Sequence, residues 1–364
     1  MAHGSLTIDS GLREPHIASP CTIPATALHF APRSVHLQEG IVLAVRLLVP
    51  LAALLGLLAF APLASASHVQ CGDVITESVK LDSDVVCPPD FEGSALVIGA
   101  DGITLDLRGF SVLGSTHDSE EVAIATDRPH RNVTLRNGTV AGVSWEANPL
   151  SVQLSDSTIR NLHTEGLGGI NVVGDRNLIR ANHVFASFSG MGIRGDFNRV
   201  VDNEVRAVEG YGIGATGRAF EIDRNRVTLS ESYGFHDGIV VWDFEDIQIR
   251  RNIVSANSSE GIEVRQGVGA LVDRNTTIQN RVGIRVDGLA SEIVLNRNQA
   301  NNNATTYDDS GSGIQVNSTS TLIRRNTANN NLEYGIWAVP GVLDGGGNSA
   351  SGNGIADCVN VACR

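Results

Sequence analysis

Residues 283–286 read Gly-Ile-Arg-Val: a glycine that turns the chain, then an apolar, a polar and an apolar residue. Alternation with period two over so few positions describes a short β-strand with one buried face. The same Gly-Ile start recurs at Gly169, Gly192, Gly212, Gly238, Gly261, Gly313 and Gly335, at intervals of 20 to 30 residues. Ten to fourteen residues after each isoleucine stands an asparagine: Asn182, Asn203, Asn225, Asn252, Asn275, Asn298, Asn326 and Asn348. From Asn252 onward a second asparagine follows five residues later, at Asn257, Asn280, Asn303, Asn331 and Asn353. Two markers holding phase over eight repeats define a repeat protein.

A period of about 22 residues has room for three short strands and three turns. The pattern therefore predicts an all-β fold, a single-stranded right-handed parallel β-helix of about eleven coils. Leucine-rich repeats share the period, but their leucine ladder is absent. Rungs of such a coil stack about 4.8 Å apart, so residues one period apart become vertical neighbours. Isoleucine and valine then form apolar columns. The asparagines are expected at turns, in left-handed backbone conformation, each bonding the amide one coil on.

The rest of the chain falls into place around the repeat. Residues 95–352 are the coils, residues 67–94 an N-terminal cap and residues 353–364 a C-terminal cap, since an open stack must cover its apolar ends. Leu47 to Ala64 is a run of eighteen apolar or small residues, preceded by Arg46 and followed by Ser65-Ala66. That arrangement reads as a signal peptide over residues 41–66, cleaved after Ala66; a retained membrane anchor is the rival. Residues 1–40 lack periodicity and read as an untranslated or disordered leader, with initiation at Val42 or Val45. Four cysteines lie beyond the signal segment, Cys71 near Cys87 and Cys358 near Cys363, and an even number in an exported chain reads as disulfides. The net charge of −13, with Lys80 the one lysine, argues against a nucleic-acid partner. A secreted or envelope location and a monomer without stable membrane insertion are the expectations.

Several segments carry a likeness to known proteins. Cys71-Gly-Asp-Val-Ile-Thr76, Leu96-Val-Ile-Gly-Ala100, Leu105-Asp-Leu-Arg-Gly109, Asn132-Val-Thr-Leu-Arg-Asn-Gly-Thr-Val140, the Gly-Ile and asparagine coils, and Gly345-Gly-Gly-Asn348 with Cys358 and Cys363 resemble secreted right-handed β-helix repeat proteins. The resemblance covers residues 71–364. It implies the wider class of carbohydrate-binding and sugar-cleaving β-helices, among them pectate lyases, polygalacturonases and alginate epimerases. It also extends to the β-helix of periplasmic copper-maturation proteins, although six histidines and one methionine beyond Ala66 are a thin set of ligands for copper. The run Tyr233-Gly-Phe-His-Asp237 is similar to the catalytic segment of alginate epimerases, with a shortened spacing; the similarity implies roles for His236 and Asp237.

Two turns are longer than the rest. Asn225 to Ile239 spans 14 residues and Asn298 to Ile314 spans 16, placing inserts at Leu229–Asp237 and Ala304–Ser312. Both fall at one sheet edge, where they would frame a cleft. Tyr211, Tyr233, Tyr307 and Tyr334 lie just upstream of Gly-Ile strands, with Trp242 and Trp337 close to them. Aromatic faces stack on sugar rings, so these residues are candidates for binding a polysaccharide or surface glycan; filling turns is the plain alternative. By register Glu263 falls over Arg285 and Arg265 over Asp287. These four are either surface ion pairs or a patch for uronate. The candidate catalytic groups are Asp237, Glu260 and His236: two carboxylates one rung apart repel, which raises the pKa of one, and the histidine transfers protons. Two solvated turn carboxylates are the ordinary alternative. No cofactor is called for, and calcium at the carboxylates has no motif behind it. The leading expectation is an exported protein that binds or processes a polysaccharide, with lyase, epimerase and glycoside hydrolase as candidate chemistries. The competing readings are a non-catalytic adhesion module and a structural β-helix.

Overall fold

The computed structural model describes residues 68–115, 122–142, 148–207, 209–229, 236–256, 258–304 and 311–364. The leader, the signal segment, Tyr233, Tyr307, Asn257 and most of both inserted turns lie outside the described residues. The described residues form a parallel β-solenoid of about eleven turns in which every pairing between strands is parallel and joins one coil to the next. Three stacks of strands run its length. The first contains Ile170–Val173, Met191–Arg194, Glu260–Val264 and Val282–Val286. The second contains Leu178–Arg180, Arg199–Val201 and Gly267–Asp273. The third contains His183–Ala186, Glu204–Ala207 and Thr276–Ile278. No helix among the described residues is long and apolar enough to cross a membrane.

The first stack carries the column that the repeat predicted, with one correction of phase. Leu150, Ile170, Met191, Ile213, Ile239, Ile262, Ile284, Ile314 and Ile336 are successive partners, and each is at most 1% exposed. Met191 occupies the place expected of Ile193, so Gly190 rather than Gly192 is the turning glycine of that coil. The reason for glycine at this corner is close backbone approach. A Cβ on Gly261 would lie 2.6 Å from the carbonyl oxygen of Gly283, and one on Gly283 would lie 2.5 Å from that of Gly313.

The same corner is filled in two ways. In the earlier coils Val184, Val205 and Val227 press their Cγ1 atoms against the positions of Gly169, Gly190 and Gly212. Later, the third stack turns inward with Thr277, Ala300, Ala328 and Ala350, which leaves room. There the amides of Asn280, Asn331 and Asn353 cover Gly261, Gly313 and Gly335. From Asn280 onward the second series of asparagines thus accompanies smaller core side chains.

Between the second and third stacks runs an unbroken amide ladder. Asn182 donates through Nδ2 to Asn203 Oδ1 at 3.0 Å, and the bond repeats from Asn203 to Asn225, Asn252, Asn275, Asn298, Asn326 and Asn348 at 3.0–3.3 Å. Each Oδ1 also accepts the backbone N–H of the preceding asparagine. The left-handed backbone angle expected of these asparagines belongs instead to the residue before each: Ala181, Asp202, Arg224, Arg251, Arg274, Arg297 and Arg325, with φ between 53° and 57°. The preceding residue makes the turn, and the buried asparagine is free to bond.

Two disulfides stand towards the ends of the coil stack, Cys71–Cys87 and Cys358–Cys363, as the cysteine spacing predicted. Strand pairing extends into both flanks: Asp73–Ile75 pairs with Leu96–Ile98, and Tyr334 and Trp337 pair with Ala356 and Val359.

Candidate active site

The first stack positions the candidate site because its strands alternate inward and outward residues. Between the columns of Ile239, Ile262 and Ile284 and of Val241, Val264 and Val286 lies the outward column Val240, Glu263, Arg285. One step upstream of the turning glycines lie Asp237 and Glu260, on vertically adjacent coils.

The structure brings three carboxylates together. Asp237, Glu260 and Glu263 each place an oxygen within 4.8 Å of the others, and all three are buried. The ordinary reading of solvated turn carboxylates does not apply to them. Arginines surround the group. Arg265 Nη2 lies 2.8 Å from Asp237 Oδ2 and Nε bonds Glu263. Arg281 and Arg285 hold Glu260 at 2.5 and 3.0 Å, and Ser259 donates its hydroxyl to the same carboxylate. Arg285 also bonds Asp287 at 3.0 Å and reaches Glu263 at 3.9 Å. Of the two expected inter-rung pairs, Glu263 with Arg285 is therefore present as a long contact. Arg265 turns back to Asp237 instead of forward to Asp287.

These surroundings divide the proton affinities. Burial, then the charges of Glu263 and Glu260, push Asp237 up to about 8. Burial and the charge of Glu260 also raise Glu263. Burial opposes ionisation of Glu260, but the Ser259 hydroxyl and the guanidinium of Arg281 outweigh it and bring Glu260 below its ordinary value. Asp237 is thus a protonated acid at neutral pH, bonded to an ionised neighbour. The pair is closed up rather than set apart: the Glu260 N–H donates to Asp237 Oδ1 at 3.3 Å, and the Glu260 carboxylate is enclosed by two arginines.

Asp237 opens on a cleft of about 480 Å³ with Tyr211, Trp242, Asp243, Arg265 and Gln266 in its walls. The Tyr211 and Trp242 rings meet at 6.1 Å between centroids and 58° between planes. Two outward glycines let the tyrosine lie flat on the sheet. A Cβ on Gly214 would stand 2.7 Å from its ring, and one on Gly192 would stand 3.2 Å from its hydroxyl. Gly192, misplaced by the repeat, is therefore floor and not corner. His236 is buried, and its Nδ1 accepts the backbone N–H of Gly210 at 2.9 Å. Tyr334 and Trp337 lie farther along the first stack, where Trp337 follows Gln315 and Arg285 in the outward column, and they do not line this cleft.

Four participants escaped the sequence reading, among them Ser259, a turn residue beside Glu260. Arg281 precedes its strand and gave no periodic signal. Asp243 and Gln266 lie one coil apart and bond at 2.9 Å, a pairing that a register count from Val241 to Val264 could have exposed.

Residues 200–355 match the family model described as a right-handed β-helix region. The solenoid is a right-handed parallel β-helix. Among solved structures, the β-helix is similar to the A-module of mannuronan C-5 epimerase AlgE6 from Azotobacter vinelandii, with 14% identity, 82% of this chain and 88% of that one covered, and a TM-score of 0.47. It is similar to the periplasmic alginate epimerase AlgG at 14% identity, 80% and 76% coverage and a TM-score of 0.44. The Dettilon tailspike protein matches at 14% identity, 79% and 62% coverage and a TM-score of 0.38. No curated protein matches the sequence of this β-helix.

Proposed function

We propose that this exported β-helix binds and processes an acidic polysaccharide, with Asp237 as the proton donor. The single observation behind the reading is one cleft that joins an aromatic pair, a neutral carboxylic acid and a half-exposed arginine. Tyr211 and Trp242 offer faces to the apolar side of sugar rings. Arg265, with 46% of its side chain exposed, has donors left for a uronate carboxylate. Asp237 keeps its proton at neutral pH and so can deliver it to a leaving glycosidic oxygen, while water bonds to the vacated anomeric carbon and gives up a proton to solvent. Glu260, enclosed by Arg281 and Arg285, acts through Asp237 by holding the acid proton and not by attacking sugar. The disulfides fit an oxidising, extracytoplasmic setting.

Titration of the purified protein with uronate polymers and neutral glucans, followed by tryptophan fluorescence and by assay of new reducing ends, tests the proposal. Uronate polymers are expected to bind at least 10-fold more tightly than neutral ones. Arg265→Ala should remove that preference, while Asp237→Asn should bind normally and release no product. Equal binding of neutral polymers would end the uronate assignment, and failure to bind any polymer would end the whole reading. One observation favours a second reading, a non-catalytic glycan module: Arg265 already satisfies Asp237 and Glu263 within the protein. Binding with no chemical change to any polymer in the wild type would select it.

A further inference from the structure

The turn between the second and third stacks carries an arginine in five successive coils: Arg224, Arg251, Arg274, Arg297 and Arg325. The N–H of Arg251 donates to the carbonyl of Asp273, that of Arg274 to Asn296 and that of Arg297 to Arg324, so the row keeps register at about 4.8 Å per rung. All five are exposed, in a chain whose net charge is −13. Each has φ between 53° and 56°, a region that glycine and asparagine enter at least cost. Gly347 takes the same position one coil further on, with φ 73°. Local geometry therefore does not ask for arginine here.

Ion pairing accounts for only part of the row. Arg224 holds Asp202 at 2.6 Å and also Asp223, Arg251 holds Asp223 at 2.7 Å, and Arg274 holds Asp273 at 3.0 Å. Then the acidic partners stop, because the column of Asp273 continues with Asn296 and Arg324. Among the described residues, Arg297, Arg324 and Arg325 form no ion pair. Asp344, on the next coil, spends its carboxylate on the N–H groups of Gly346 and Ala362. Glycines keep this end of the row open. A Cβ on Gly345 would stand 3.0 Å from the stem of Arg324 and one on Gly347 3.2 Å from that of Arg325, while one on Gly346 would meet nothing within 4 Å. Three cations on two coils thus line up beside a shelf of bare backbone. Next to them on the third stack, the outward residues are Gln299 and Asn301, then Thr327 and Asn329, which are amides and a hydroxyl.

We propose that Arg297, Arg324 and Arg325 anchor a carboxylate-bearing polysaccharide along this corner, at a site separate from the cleft at Asp237. Guanidiniums grip carboxylates through paired N–H donors, and a linear chain with an acid on each sugar meets cations set in file along the coil axis. The neighbouring amides and hydroxyl suit sugar hydroxyls, whereas a membrane-binding face sets apolar side chains beside its charge. The choice of a polyuronate rests on the reading of the Asp237 cleft, but the two sites share no residue and are tested apart.

The test replaces Arg297 and Arg325 together by asparagine, which suits the left-handed turn and removes the charge. Binding of the full chain to immobilised polygalacturonate and alginate is measured, alongside the tryptophan fluorescence response to trigalacturonate. Polymer affinity should fall by roughly 10-fold or more, as loss of two charge-assisted contacts implies, with Tm not lowered and the trimer response kept. Arg297→Lys with Arg325→Lys, which retains the charge, should bind polymer better than the asparagine pair. Unchanged polymer affinity in the asparagine variant would overturn the proposal and leave the cleft reading intact. Polymer binding that survives Arg265→Ala but fails in the asparagine variant would support the corner and sink the cleft. Loss of binding to anionic phospholipid vesicles, with polymer binding intact, would make the corner a membrane contact and overturn the proposal. Failure of the wild type to bind either polymer would end both readings.

Discussion

Asp237 holds a proton that the unfolded chain would release. Its ordinary value is 3.8 and its folded value about 8, so between these limits the folded state binds more protons than the unfolded one. The contribution of this group to stability is present in full below about pH 4 and is lost as pH rises through 8. Asparagine mimics the neutral acid, so the Tm of Asp237→Asn relative to wild type should climb steadily from pH 4 to pH 9. A constant difference would mean that the carboxyl is ionised throughout. Asp196 and Asp202, lowered by Arg218 and Arg224, titrate below that window. The vertical pairing of Asp237 with Glu260 was legible because Gly238 and Gly261 are in phase. Burial of Glu263 was not: an outward strand position reads as exposed until neighbouring rungs are seen to lie across it. Left-handed angles at Arg251 and Arg274 were equally hidden, since arginine has no preference for that region.

The strand corner and the amide ladder set the tolerance of each coil. Gly261→Ala should be strongly destabilising, because the new methyl meets the Gly283 carbonyl at 2.6 Å and backbone cannot step aside. Gly288→Ala should be tolerated, with its nearest neighbour at 3.4 Å. Chemical denaturation of the pair checks this contrast. Asn252→Ala removes an amide that is fully buried. The N–H of Asn225 and the carbonyl of Ile222 lose this partner together, while Nδ2 of Asn225 keeps the Val200 carbonyl at 2.8 Å. At about 1–3 kcal/mol for each of these two groups, the loss should exceed ~2 kcal/mol. The strand register was readable from Gly-Ile at every coil except that of Gly192, where the glycine serves the Tyr211 ring. A pattern on a sequence cannot tell a corner glycine from one that makes a flat floor, because both need only the absence of a side chain.

Across the solenoid each coil leans only on its neighbours, so stability adds coil by coil and fraying starts at the ends. The disulfides stand where fraying would begin. Cys71–Cys87 closes a loop with a sequence separation of 16 and Cys358–Cys363 one of 5, and the longer loop gains more from closure. Reduction should therefore lower Tm and speed hydrogen exchange first around Asp73–Ile75, with coils near Ile239 protected; uniform acceleration would mean that the stack melts as one unit. The amide ladders also have a sense along the axis. Every Nδ2 donates toward the C-terminal end, so the side-chain dipoles add head to tail, and each row arrives at its last rung with a positive pole. An aspartate receives it in both cases: Asn348 donates to Asp344 at 3.3 Å and Asn353 to Asp357 at 2.7 Å. The two rows are electrically polarised wires earthed at one end, and a carboxylate that looks like ordinary surface charge is the terminal that keeps them neutral.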